Sequence, residues 1–109
     1  MENNKIYLRE QLGYIFAGIY PFLFDELTKL GHDDIYIAGV GRIKLTVESL
    51  DKYLKKLFSA YIQKDFNKST ASMKLLCQYI DFIDKWSMDS IGYPIPESKK
   101  GGIDHAGKN

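Results

Sequence analysis

The side chains best suited to chemistry in this sequence lie around residue 32, where His32, Asp33 and Asp34 follow one another. Imidazole and carboxylate groups bind divalent metals, but consecutive residues in a turn do not converge on one ion as residues spaced by four on a helix do. The second histidine, His105, is far away in the sequence. The sequence therefore predicts no metal site.

Other candidate chemical groups also lack partners. The run from Gly39 to Arg42, GVGR, has neither the spaced glycines nor the following helix start of a phosphate-binding loop. Asp81 and Asp84 lie three residues apart, opposite the apolar lines of a predicted helix, which indicates solvated carboxylates. The single cysteine, Cys77, has apolar neighbours and is interpreted as a small buried hydrophobe. We therefore expect no enzyme activity and no cofactor.

The elements that must position any binding site fit one domain. With 109 residues, of which 45% are hydrophobic, the chain can form one compact core but not two. The N-terminus, MENNKIYLREQ, has no basic stretch followed by an apolar one, and the uncharged run 14–24 is too short to span a bilayer. We predict a cytoplasmic protein with no membrane partner, one domain over residues 1–92, and a disordered tail over 93–109 that is rich in proline, glycine and lysine.

Helical periodicity predicts two helices in the first third of the chain. The first covers residues 5–17 and ends at Gly18. The second covers residues 20–30, with Pro21 in its first turn and Gly31 as its C-terminal cap. Two short helices joined by a tight glycine turn are the geometry of a helix-turn-helix.

Residues 35–45 predict a β-hairpin, because isoleucine and leucine alternate on both strands. Gly39 and Gly41 allow the positive φ values that its turn needs. Thr46 is well suited to cap the third helix, which presents a single apolar face. The expected fold class is therefore mainly α with a small β-hairpin and a long C-terminal helix.

The last helix, at about residues 69–88, carries two lines of apolar side chains. They are Met73, Leu76, Ile80 and Ile83, and Leu75, Tyr79, Phe82 and Trp86. In one alternative, the second line binds another copy of the chain, so that the helix dimerises the protein. In the other alternative, both lines pack within one core formed by the first, third and fourth helices.

Charge is distributed unevenly along the chain. Residues 42–74 contain eight Lys and Arg against three Asp and Glu, a net charge of +5, whereas residues 75–98 contain one against four, a net charge of −3. A basic segment of this kind can attract a polyanion such as duplex DNA to one face. Alternatively, these charges are the ordinary solvated faces of two amphipathic helices.

The stretch 35–57, IYIAGVGRIKLTVESLDKYLKKL, resembles the wing and following helix of excisionase-like winged helix-turn-helix proteins. In that family a Gly-Arg-Ile/Val-x-Ile/Leu strand runs into a Thr-x-x-x-Leu helix start, and here the pattern is GRIKL followed by TVESL. With the two preceding helices, the resemblance covers about residues 8–57. It implies a small DNA-binding accessory protein or transcriptional regulator that places its second helix in the major groove and its wing on the backbone or in the minor groove.

The resemblance also implies a set of DNA-binding residues. They are Arg42 and Lys44 on the wing, Lys52, Lys55 and Lys56 beside it, and Thr28 and Lys29 on the second helix. The rest of that helix departs from the family pattern, because Asp25 and Glu26 repel phosphate and the neighbouring aromatic residues do not match polar base edges.

That departure supports a different function, a protein-binding module such as an inhibitor, immunity factor or adaptor of a phage or mobile element. Aromatic side chains are favoured anchors at protein interfaces, and a fold does not fix a function. The candidate interface residues are Tyr20, Phe22, Phe24, Tyr79, Phe82 and Trp86.

Overall fold

Three α-helices and a two-stranded antiparallel hairpin make up the part of the chain that the structure describes. A computed structural model describes residues 12–67 and 70–96 of the 109-residue chain. In chain order, its elements are a π-helical turn (Ile15–Ile19), α1 (Tyr20–Lys29), β1 (Asp34–Ile37), β2 (Gly41–Lys44), α2 (Val47–Ile62) and α3 (Met73–Ser90). The predicted fold class, mainly α with a small β-hairpin and a long last helix, is confirmed.

The predicted helix boundary at Gly18 is wrong. Residues 12–29 are helical throughout, and the Tyr20 N–H donates to the carbonyl of Ile15, five residues back. Pro21 lacks an N–H and crowds the carbonyl four residues before it, and the wider π turn directly ahead of Pro21 accommodates this conflict. The tight glycine turn of a helix-turn-helix is therefore absent from residues 12–29, and the start of the predicted first helix lies outside the described residues.

The hairpin follows the sequence prediction. Ile35 pairs with Ile43 across the two strands, and Ile37 lies opposite Gly41 and is buried. Gly39 and Gly41 have φ values of +84° and +108°, in the region that favours glycine. The hairpin turn can therefore be this tight because both positions are glycine.

Hydroxyl side chains cap the two long helices. Thr46 Oγ1 accepts the backbone N–H of Ser49, and Ser49 Oγ accepts that of Thr46, so α2 begins with a reciprocal capping box. At the start of α3, Ser72 Oγ accepts the N–H of Leu75. The cap predicted at Thr46 is confirmed, whereas α3 begins at Met73 instead of near residue 69.

The core lies where the helices meet. Its fully buried side chains are Ile15, Ile19, Tyr20, Leu23, Leu50, Leu54, Phe58, Leu76, Tyr79, Ile80 and Ile83. Both apolar lines of the last helix contribute to this core, because Tyr79 from the second line is as buried as Leu76 from the first. Phe82 and Trp86, also from the second line, are only partly buried. The single-core alternative is therefore correct for Tyr79, whereas Leu75, Phe82 and Trp86 of the second line each keep part of their surface open.

The chain after α3 packs back onto the helices. Ile95 is 2% exposed, and its N–H donates to the carboxylate of Asp84 at 2.9 Å. The Tyr93 hydroxyl donates to the carboxylate of Glu26 on α1. The sequence predicts disorder from residue 93 onward, whereas in the structure residues 93–96 pack against the helices. Asp84, predicted to be solvated, instead holds this segment.

Candidate functional site

An open groove lined by four aromatic rings and by polar side chains runs between α2 and α3, and its volume is about 530 Å³. We call it the aromatic groove. Its lining residues are Phe58, Tyr61 and Ile62 of α2, and Gln78, Asp81, Phe82, Lys85, Trp86 and Asp89 of α3. Two of the predicted interface residues, Phe82 and Trp86, therefore lie in one site.

Ring contacts fix the walls of the aromatic groove. The ring centroid of Phe82 lies 5.3 Å from that of Phe58 and 5.3 Å from that of Tyr61. Trp86 meets the ring of Tyr53 edge-on, with the centroids 6.0 Å apart. Contacts of this kind add to the stability that ring burial provides. Tyr61 nevertheless remains 67% exposed, so the groove offers apolar surface that is already in place.

Charged side chains along α3 border the aromatic groove. Asp81, Lys85 and Asp89 follow one another at four-residue intervals, which places them on one side of the helix. Within the described residues, no salt bridge joins Lys85 to either aspartate. The border therefore presents alternating negative, positive and negative charges to solvent.

Three of the predicted DNA-binding cations are paired with carboxylates. Arg42 Nη1 lies 2.9 Å from Asp34 Oδ1, and Lys29 Nζ lies 3.3 Å from a carboxylate oxygen of Glu26. Lys55 Nζ lies 3.4 Å from Asp51 Oδ2. These pairs reduce the charge that the three cations offer to a phosphate backbone.

Part of the predicted DNA-binding set converges beside the hairpin turn. Lys52, Lys55 and Lys56 line a shallow depression of about 240 Å³ together with Val40 of the turn. A Cβ atom on Gly39 would lie only 3.6 Å from Lys56 Nζ, so this ammonium group is close to the turn backbone. We call these three residues the lysine cluster.

The remaining predicted DNA-binding residues lie elsewhere. Arg42 lines a separate cavity of about 590 Å³, together with His32 and Tyr36. Lys44 is exposed on the same strand as Arg42, and Thr28 is exposed near the end of α1. The structure therefore groups the α2 lysines but does not bring Arg42 into the same cavity.

The prediction that Tyr20 and Tyr79 belong to an exposed interface is wrong, because both side chains are fully buried. Phe22 and Phe24 of α1 are half-buried against the core, and the Phe22 ring is partly covered by Tyr93 at a centroid distance of 6.3 Å. Helical spacing in the sequence correctly places Tyr79 beside Phe82. How deeply Tyr79 is buried depends on where α1 packs, and the spacing does not show this.

Tyr20 and Tyr79 form a buried polar network with Asp51. The Tyr20 hydroxyl donates to Asp51 Oδ1 at 2.6 Å, and its oxygen lies 2.6 Å from the Tyr79 hydroxyl. Because the Tyr20 proton goes to the carboxylate, Tyr79 donates to Tyr20. Burial is the main cause that raises the pKa of both tyrosines above their ordinary value. The network joins α1, α2 and α3 and gives the tyrosines a structural role.

Within residues 12–67 and 70–96, no group of three or more His, Cys, Asp or Glu side chains could hold a metal ion. Cys77 is half-buried on α3. No helix in the described part of the chain is long and apolar enough to cross a bilayer. In comparisons with known proteins, the chain matches no family model, no curated protein and no solved structure. A function is therefore inferred from the groove and the charges alone.

Proposed function

We propose that this protein is a protein-binding module whose aromatic groove receives an amphipathic helix of a partner. The observation that supports the proposal is the open groove lined by Tyr61, Phe82 and Trp86. Tyrosine and tryptophan are enriched among the residues that dominate binding energy, particularly where they fill well-packed pockets. In the free protein these rings already contact their neighbours, which lowers the entropy lost when a partner docks.

The dimensions and charges of the groove suit a helix. The lining positions on α3 extend from Gln78 to Asp89. At 1.5 Å per residue these positions span about 16 Å, or three helical turns. A partner helix with apolar residues spaced by three and four would fill the floor, and charged residues beside that stripe would meet Asp81 and Lys85.

A photo-crosslinking experiment in the host cell tests this proposal. A benzophenone amino acid at Gln78, which is exposed at the edge of the groove, is expected to give a discrete adduct. The same amino acid at Thr28, exposed on α1, is the positional control. The adduct should be lost in a Tyr61→Ser background and retained in a Tyr36→Ser background, because these tyrosines are similarly exposed, at 67% and 62%. Identical adducts from both positions, or adducts that Tyr61→Ser does not weaken, would count against the groove.

A second candidate function is the binding of duplex DNA, and the convergence of Lys52, Lys55 and Lys56 beside the hairpin turn favours it. Lysines that meet phosphates release counterions, so affinity falls as salt rises. The test is fluorescence anisotropy of labelled duplex DNA at low and moderate salt. Lys52→Ala with Lys56→Ala should weaken binding and lower the salt slope by about 2.

Two further double variants make that test specific. Lys64→Ala with Lys74→Ala removes the same charge from exposed positions outside the lysine cluster, and it should have a smaller effect. Arg42→Ala with Lys44→Ala examines the predicted wing, where Asp34 already pairs with the arginine. Equal losses in all three variants would indicate general charge attraction, and no binding at low salt would refute the DNA function.

A further inference from the structure

We propose that the helix received by the aromatic groove is α3 of a second copy of this chain, packed antiparallel across a twofold axis. This inference rests on the proposed function and names the partner. It follows from the charges of Asp81, Lys85 and Asp89, from the apolar residues beside them, and from the symmetry that an isologous interface imposes.

The charge pattern along α3 is self-complementary only in the antiparallel orientation. With the twofold axis halfway between positions 81 and 85, Lys85 of each copy faces Asp81 of the other. With the axis halfway between positions 85 and 89, Lys85 of each copy faces Asp89. Either arrangement forms two symmetric ion pairs. A parallel arrangement in register places like charges opposite one another, which is unfavourable across an interface.

Apolar side chains on the same surface support this pairing. Met88 is 50% exposed and follows Asp81 and Lys85 at helical spacing, so it lies on the same side of α3 as these two charges. Tyr61 projects from α2 on the other wall. A second α3 lying along the groove would cover these two side chains and the exposed edges of Phe82 and Trp86. Apolar surface at the centre with charges at the rim is typical of protein interfaces.

The size of the surface sets the strength expected of the dimer. The 18 residues of α3 span about 27 Å. One helix length against one groove gives an interface at the small end of specific complexes, and such complexes dissociate on dilution. We therefore expect a dimer in equilibrium with monomer.

Sedimentation velocity over a wide range of protein concentrations tests the inference. Wild-type protein is expected to shift from the 12.5 kDa monomer to twice that mass as concentration rises. Lys85→Glu should raise the dissociation constant by about tenfold or more, because each ion pair becomes a repulsion. Lys64→Glu makes the same charge change at an exposed position outside the groove and should leave the dissociation constant unchanged. Circular dichroism confirms that each variant is folded.

A reciprocal charge exchange makes the test specific. Asp81→Lys combined with Lys85→Glu restores dimerisation in the first arrangement, and Lys85→Glu combined with Asp89→Lys restores it in the second. Rescue by either pair supports the inference and identifies the register. The inference is overturned if the protein stays monomeric at every concentration. It is also overturned if Lys85→Glu does not weaken the dimer, or if neither exchange restores a dimer that Lys85→Glu has weakened. If a monomeric protein still gives groove-dependent adducts with a different protein, the second copy is refuted and the proposed function stands. If a monomeric protein gives no such adducts, both fail.

Discussion

Replacing Tyr20 with phenylalanine removes one oxygen atom from the buried network, and we expect it to destabilise the fold by about 2.5 to 6 kcal/mol. The ring stays, so no large cavity forms. The variant loses a charge-assisted hydrogen bond to Asp51, and such bonds contribute about 1.5 to 3 kcal/mol. It also takes the acceptor from the buried Tyr79 hydroxyl, and leaving a buried donor unsatisfied costs about 1 to 3 kcal/mol.

The Tyr79→Phe variant gives the comparison that tests this reasoning. It removes only the bond that Tyr79 donates, so the expected loss is about 1 kcal/mol. The double variant should be no less stable than Tyr20→Phe, since it has no stranded hydroxyl donor. Urea unfolding at pH 7, monitored by circular dichroism, measures the free energy of unfolding of all three variants. The slopes of that free energy against urea concentration are compared among the variants. Losses for Tyr20→Phe and Tyr79→Phe that agree within about 0.5 kcal/mol would refute the donor assignment.

Three further predictions concern the rest of the fold. Because the pKa of Tyr20 and of Tyr79 is raised by burial, the folded state keeps protons that the unfolded chain loses above pH of about 10. The free energy of unfolding should therefore fall above that pH by up to about 1.4 kcal/mol per pH unit for each tyrosine. Urea titrations at successive pH values check this. An equally steep fall of the free energy of unfolding with pH in the variant that carries both Tyr20→Phe and Tyr79→Phe would contradict it. Ile95→Ala should cost about 2 to 4 kcal/mol, because Ile95 is buried, while Pro96→Ala at an exposed position should be near neutral. Equal urea midpoints for these two variants would show that residues 93–96 do not hold the fold. Thr46→Ala should cost about 1 kcal/mol and Thr46→Ser much less, since serine keeps the capping oxygen. Thermal unfolding compares the two, and equal losses would exclude the cap as the cause.

Local signals in the sequence predict much of this fold. Thr46 caps a helix because its oxygen reaches the N–H of Ser49, an interaction within one turn. Gly39 and Gly41 predict the hairpin turn because a single glycine can adopt a positive φ whatever its neighbours are. Interactions this local need no knowledge of the rest of the chain, so they can be predicted from residue types and spacing.

Long-range packing accounts for the wrong predictions. Gly18 suggests a helix end, but the packing of Ile15, Ile19 and Tyr20 into one core keeps the helix continuous, with a π turn before Pro21. Helical spacing places Tyr79 beside Phe82 but does not show that Tyr20 of α1 reaches Tyr79. The pairing of Arg42 with Asp34 also depends on structure beyond one helical turn, because the two residues meet through strand pairing.

The buried network and the aromatic groove are mechanically connected. Tyr79 lies one helical turn before Phe82 on α3, and the Phe58 ring packs between them, with centroid distances of 5.2 Å to Tyr79 and 5.3 Å to Phe82. Phe58 also lines the aromatic groove, so one ring contacts both Tyr79 and the open space of the groove. Because close-packed interiors transmit small displacements, the hydrogen bonds of Tyr20 and Asp51 help to set the width of a groove that neither residue lines. The polar network therefore supports the shape of the aromatic groove as well as stability, and the walls of the proposed binding surface are already in place in the free protein.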